Sequence, residues 1–182
     1  MSFGAKKFLA NLKEKNVKVV VFDMDNTAIR MHSSGALRVS KFKDYCQKVS
    51  PDFLEIVPFL IILNIRVAIA TFSDEGMEKG ATEHYREPCY AGNKLVNKML
   101  TTVFPDRSIA SQVYAVGYYP KYHRGGKLWK LHHLDKISEH FNVSLKDCVL
   151  FDDTRDNVDN HGEFTAYAVD GSVGFRFSDY TE

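Results

Sequence analysis

Val17-Lys18-Val19-Val20-Val21-Phe22 runs straight into Asp23-Met24-Asp25-Asn26-Thr27. A β-branched, almost continuous apolar run of this length predicts a strand buried on both faces, as central strands of parallel sheets are. Two further runs have the same design. Val67-Ala68-Ile69-Ala70 stops at Thr71-Phe72-Ser73-Asp74, and Cys148-Val149-Leu150-Phe151 stops at Asp152-Asp153. Residues 113–118 and 164–169 supply two more strand candidates. Helical patterning covers 40–63, 75–87, 94–104 and 128–141, with breaks expected near Pro51 and Pro58. Strands alternating with helices predict an α/β fold around a mostly parallel sheet.

In an open parallel sheet, ligands bind in the crevice beyond the carboxyl ends of the strands. If the three strands are neighbours, Asp23 and Asp25, Thr71 and Ser73, and Asp152 and Asp153 converge on one spot. Four crowded carboxylates repel one another unless a cation sits among them, and hard oxygen ligands suit Mg²⁺. A Thr71 hydroxyl and a Lys127 ammonium would complete a cradle for a phosphate, and phosphoryl transfer asks mainly for such positioning and neutralisation. Asp23 is then the nucleophile, while Asp25 protonates the leaving oxygen and later activates water.

The segment VVVFDMDNT resembles the first motif of the haloacid dehalogenase superfamily, an apolar strand followed by DxDx(T/V). Thr71 resembles the second motif, Lys127 at the head of KLWKLHHLDKISEHF the third, and DDTRDN a paired-aspartate fourth motif. The similarity extends from about Val17 to Val169 and is greatest to the magnesium-dependent phosphatase branch. It implies a Rossmann-like fold with helices on both faces of the sheet. It also implies Mg²⁺ held by Asp23, the backbone carbonyl of Asp25 and Asp153, with Asp152 in support, and an aspartyl-phosphate intermediate. Asn157 falls on the last motif position, where many relatives carry aspartate.

Two positions have rivals. Ser73 competes with Thr71, although Ser73 also suits the N-cap of a helix beginning near Glu75. Lys130, one turn further on, competes with Lys127, which is favoured as the residue nearer the expected helix start. Seven histidines raise the question of a metal site, but there is no HExxH. His132 and His133 are adjacent and cannot share a helix face, so surface or interface positions are expected.

Outside the motifs, Phe3, Phe8, Leu9 and Leu12 fall near helical spacing with lysines on the other faces. This predicts an N-terminal amphipathic helix over 1–16, packed on a single domain spanning 1–182. The chain has 182 residues, 45% hydrophobic and 26% charged, enough apolar material for a core without staples. A net charge of +1 gives no electrostatic reason to expect nucleic acid or a membrane as partner. Cys46, Cys89 and Cys148 are odd in number and widely spaced, which argues against a disulfide framework or a zinc site and for a reducing compartment. The N-terminus has no signal-peptide pattern, and the longest apolar stretch, Phe59 to Leu63, is too short to span a membrane. A cytoplasmic location is expected.

No stretch is long enough for a cap domain, so an open, capless site is expected, with residues 87–111 as a candidate small lid. Such a site admits a phosphorylated small molecule or a phosphoprotein; the oligomeric state stays open. Lys94, Lys98, Arg107, Lys121 and Arg124 are candidates for the rim, and Tyr118, Tyr119, Tyr122 and Trp129 for an aromatic wall. A phosphomutase or phosphotransferase would use the same Asp23, and a phospho-signalling receiver or inactive scaffold is the non-enzymatic alternative. A dehalogenase is disfavoured because its halide needs no proton, and Asp25 is present.

Overall fold

β1 (Val19–Asp23) is buried at all five residues and occupies the middle of a five-stranded, all-parallel sheet. The computed structural model describes residues 1–74, 88–118, 130–159, 162 and 164–181. β3 (Arg66–Asp74) and β6 (Cys148–Asp152) flank β1, with β5 (Val113–Tyr118) and β7 (Thr165–Ala168) at the edges. All five expected strands therefore form, and the three with polar ends are neighbours.

Strand side chains alternate between the two faces of the sheet. Val20, Phe22, Val67, Ile69, Val149 and Phe151 face a large core shared with α1 (Phe3–Glu14), α3 (Pro51–Ile62) and α4 (Gly92–Val103). Val19, Val21, Ala68, Ala70 and Leu150 face α6 (Leu131–Phe141), which contributes Leu134 and Ile137. Helices thus cover both faces, giving the Rossmann-like architecture. The larger core is strongly aromatic: Phe22 stacks on Phe151 at 5.6 Å and meets Phe53 and Phe175 edge-on at 5.1 and 4.9 Å.

α1 buries Ala5, Phe8, Leu9 and Leu12 as its periodicity predicts, whereas Phe3 is 81% exposed and outside the packed stripe. Two expectations about proline are corrected together. Pro51 starts α3 rather than interrupting it, at a first-turn position where its missing N–H goes unneeded, with Ser50 as N-cap. Pro58 lies inside α3, which continues through it because Phe53, Ile56, Val57 and Leu60 anchor the helix on the core. Short helices α2 (Phe42–Cys46), α5 (Arg107–Ala110) and α7 (Arg155–Val158) complete the described set.

Residues 88–111 are not a lid. β4 (Cys89–Ala91) pairs antiparallel with β2 (Ala36–Arg38), and α4 buries Leu95, Val96, Met99 and Leu100 in the main core. The small β2–β4 sheet is the whole of the described flap beside the strand ends. Its approach uses a turn in which Ser34 and Gly35 both have left-handed φ, 58° and 84°. The helix expected over 75–87 lies outside the described residues. No described helix is long and apolar enough to cross a membrane.

Candidate active site

The register of β1 against its neighbours builds the site. Phe22 pairs with Phe151 on β6, so Asp23 and Asp152, one residue on, emerge side by side on the α6 face. On the other flank Asp23 pairs with Ala70 of β3. Carboxylate oxygens of Asp23, Asp152 and Asp153 all lie within 4.8 Å of one another.

Between Asp23 and Asp152 stands Lys130, the residue preceding α6 and completely buried. Its Nζ donates to Asp23 Oδ1 and to the Ala70 carbonyl, each at 2.5 Å, and lies 3.5 Å from Asp152 Oδ2. Small side chains at Ala68 and Ala70 line this face of the sheet. Lys127, favoured on the sequence, lies outside the described residues. Lys130 is at the helix start that the sequence argument sought, because the helix begins at Leu131 rather than near residue 128.

Burial pushes Asp23 up to about 8 despite the pull of Lys130, and the neighbouring charges of Asp152 and Asp25 add to the rise. Lys130 resists the same desolvation: its contacts with Asp23 and Asp152 hold it above the ordinary lysine value. Burial also raises half-buried Asp153. Four carboxylates face one ammonium, the electrostatic deficit a divalent cation would relieve. The donor set passes a further test for Mg²⁺: Asp152 Oδ2 is buried with only the Lys130 ammonium near it, at 3.5 Å and beyond an ordinary hydrogen bond, while the group's other oxygen accepts from the Thr154 amide and Asn157 Nδ2, both at 2.9 Å. Hard oxygens, one of them held ready in the interior, suit that ion. Asn157 thereby acquires a definite place, fixing Asp152. Asp153 Oδ2 accepts from Asn26 at 3.2 Å.

Asp25 lies on the loop after β1. Its Oδ1 accepts from the Tyr45 hydroxyl at 2.6 Å, and its Oδ2 from the Ser33 amide and hydroxyl at 2.8 and 2.6 Å. Thr71 and Ser73 have different surroundings. A register irregularity between Ala70 and Asp74 re-aims the end of β3. Ser73 Oγ donates to the Gly35 carbonyl at 2.7 Å and accepts from the Gly92 amide at 2.8 Å, which ties β3 to the flap and to the start of α4. Thr71 Oγ1 accepts from the Ser73 amide at 3.1 Å, so its own proton can point elsewhere.

Asp23, Asp25, Thr71 and Asp153 line one cleft of about 190 Å³ with Asn26, His32, Gly35, Phe72, Ser73 and Thr154. None of Lys94, Lys98 and Arg107 lines it; Lys98 instead lies over the rings of Tyr90 and Phe42 at 5.1 and 5.9 Å. Lys121 and Arg124, like Tyr119, Tyr122 and Trp129 of the expected aromatic wall, lie outside the described residues. Tyr118 packs against Phe72 at 5.8 Å. Phe72, which the sequence did not single out, brings its ring to the cleft, and Lys130 Nζ sits 4.8 Å from its ring centre.

His133 corrects the surface expectation. It is fully buried one turn after Lys130, with Nε2 3.1 Å from the Thr71 carbonyl and its ring edge-on to Phe72 at 5.2 Å. Adjacent histidines on a helix point to different faces, and the sequence did not reveal that one of those faces was inward.

The strand order, the DxD beginning at the end of β1, the lysine heading α6 and the aspartate pair at the end of β6 together give a Rossmann-like parallel sheet with an aspartate cluster at its carboxyl ends. No family model and no curated protein sequence matches the chain. Among solved structures, one similar chain is D,D-heptose 1.7-bisphosphate phosphatase from B. bronchiseptica, complexed with magnesium and phosphate. It shows 16% identity and a TM-score of 0.47, covering 77% of this chain and 73% of that chain.

Proposed function

We propose that this chain is a Mg²⁺-dependent phosphatase that hydrolyses phosphate monoesters through an aspartyl-phosphate on Asp23. The observation that carries this reading is the clustering of Asp23, Asp152 and Asp153 within 4.8 Å, with Lys130 locked against Asp23.

Asp23, the Asp25 carbonyl, Asp153 and Asp152 would hold Mg²⁺, which when bound supplies positive charge for the phosphoryl oxygens and favours the ionised Asp23. Lys130 fixes Asp23 by one oxygen, leaving the other to attack phosphorus in line with the ester oxygen. The new bond joins phosphorus to Asp23, the ester P–O bond breaks, and Asp25 gives its proton to the departing oxygen. Water then attacks the same phosphorus while Asp25 takes its proton, and the bond to Asp23 breaks to release inorganic phosphate. The Thr71 hydroxyl, oriented by the Ser73 amide, donates to a phosphoryl oxygen. Phosphate monoesters of small molecules suit a polar cleft of this size, and a phosphorylated side chain of a protein could present the same group to it. The open cleft favours water over a second substrate as acceptor.

Phosphate release from para-nitrophenyl phosphate, with Mg²⁺ and with EDTA, tests the reading. Metal-dependent turnover lost in Asp23→Asn is expected. Folded protein inactive toward a broad ester panel with Mg²⁺ would overturn it.

A further inference from the structure

We propose that Tyr45 is a positioning residue for the acid–base chemistry of Asp25, acting with Ser33 from the opposite side of the carboxylate; this rests on the phosphatase reading above. Three short hydrogen bonds from two separate segments hold both Asp25 oxygens. Tyr45, on α2, is completely buried and donates to Oδ1 at 2.6 Å. Ser33, on the turn leading into the flap, is 3% exposed and donates twice to Oδ2, at 2.8 Å from its amide and 2.6 Å from its hydroxyl. His32 Nδ1 is 3.7 Å from the same oxygen and accepts from the Ser34 amide at 2.8 Å.

Phe42 and Cys46 of the same helix pack against the core as partly buried hydrophobic side chains, whereas Tyr45 adds a hydroxyl that it places on Asp25. The hydroxyl fixes the carboxylate's rotation about its terminal torsion, which is otherwise soft. Proton transfer to a leaving oxygen needs hydrogen-bond reach, so a carboxylate free to rotate delivers its proton less often.

Leaving-group dependence separates this role from a merely structural one. A para-nitrophenolate departs without help from an acid, whereas an alkoxide needs a proton as its bond to phosphorus breaks. For Tyr45→Phe, kcat/KM toward an alkyl phosphate is expected to fall about tenfold or more beyond its fall toward para-nitrophenyl phosphate. Ser33→Ala, which removes one donor to the other oxygen, is expected to show the same selectivity with a smaller amplitude. Circular dichroism and thermal melting establish that each variant is folded, and should Tyr45→Phe not fold, the Ser33→Ala ratio decides. Equal losses on both esters, or no loss, would overturn the positioning role while leaving the phosphatase reading intact. A wild-type protein without turnover on either ester would overturn both.

Discussion

Lys130 carries a charge through the interior to reach two carboxylates, and its environment leaves it no alternative partner of opposite sign among its described contacts. Breaking a buried pair by removing one member is strongly destabilising, because the remaining charge has no water to face. Lys130→Met is therefore expected to lower unfolding free energy by about 3 kcal/mol above pH 8, where Asp23 is ionised, read by urea denaturation, and to abolish turnover. Asn157 acts more gently. Removing the amide that fixes Asp152 in Asn157→Ala is expected to weaken Mg²⁺ binding by about 10- to 100-fold with little change in fold, as measured by calorimetric titration. Unchanged affinity would show that Asp152 is fixed well enough by the Thr154 amide alone. The aspartates of this site were legible in the sequence because each ends an apolar run. Lys130, His133 and Tyr45 were less so: a lysine, a histidine or a tyrosine on a helix reads the same whether its side chain faces solvent or a charge.

The end of β3 divides its labour between neighbouring hydroxyls. Ser73→Ala leaves the Gly35 carbonyl and the Gly92 amide without their shared partner, a cost of about 1–3 kcal/mol in stability. Thr71→Ala leaves that tie intact and takes away the hydroxyl proposed to donate to the phosphoryl group. The expected pattern is a crossed one, with the larger loss of melting temperature in Ser73→Ala and the larger loss of kcat/KM in Thr71→Ala. The reverse pattern would exchange their roles. At this scale the strands were readable because a doubly buried strand leaves a continuous apolar signature, as at 19–23 and 148–152. The β2–β4 pair left none. Its strands are three residues each, and Ala36 finds Ala91 across a distant stretch of chain. Proline misled for a related reason: its local cost in α3 is outweighed by four core side chains that only the tertiary structure reveals.

For the molecule as a whole, the raised Asp23 couples metal, protons and stability. A carboxyl whose folded value is about 8 holds its proton where the unfolded chain, near 3.8, has lost it. In metal-free protein this group's contribution is therefore fully present at low pH and declines as pH rises from about 4 to about 8. Mg²⁺ requires the ionised form, so its affinity is expected to climb up to about tenfold per pH unit below 8 and to level off above. Differential scanning calorimetry with Mg²⁺ and with EDTA reads this directly: the metal-induced rise in Tm is expected to be larger at about pH 8 than at about pH 6. A rise independent of pH would mean that Asp23 is already ionised without metal. The placement of β1 has a different consequence, one of timing. Val19 is made well before its partner Cys148, which follows only after both β3 and β5. Until then one edge of the most apolar strand stands open, a template for pairing with other nascent chains. Substitutions that delay β6 should accordingly reduce the yield of soluble protein while leaving the specific activity of the molecules that do mature unchanged.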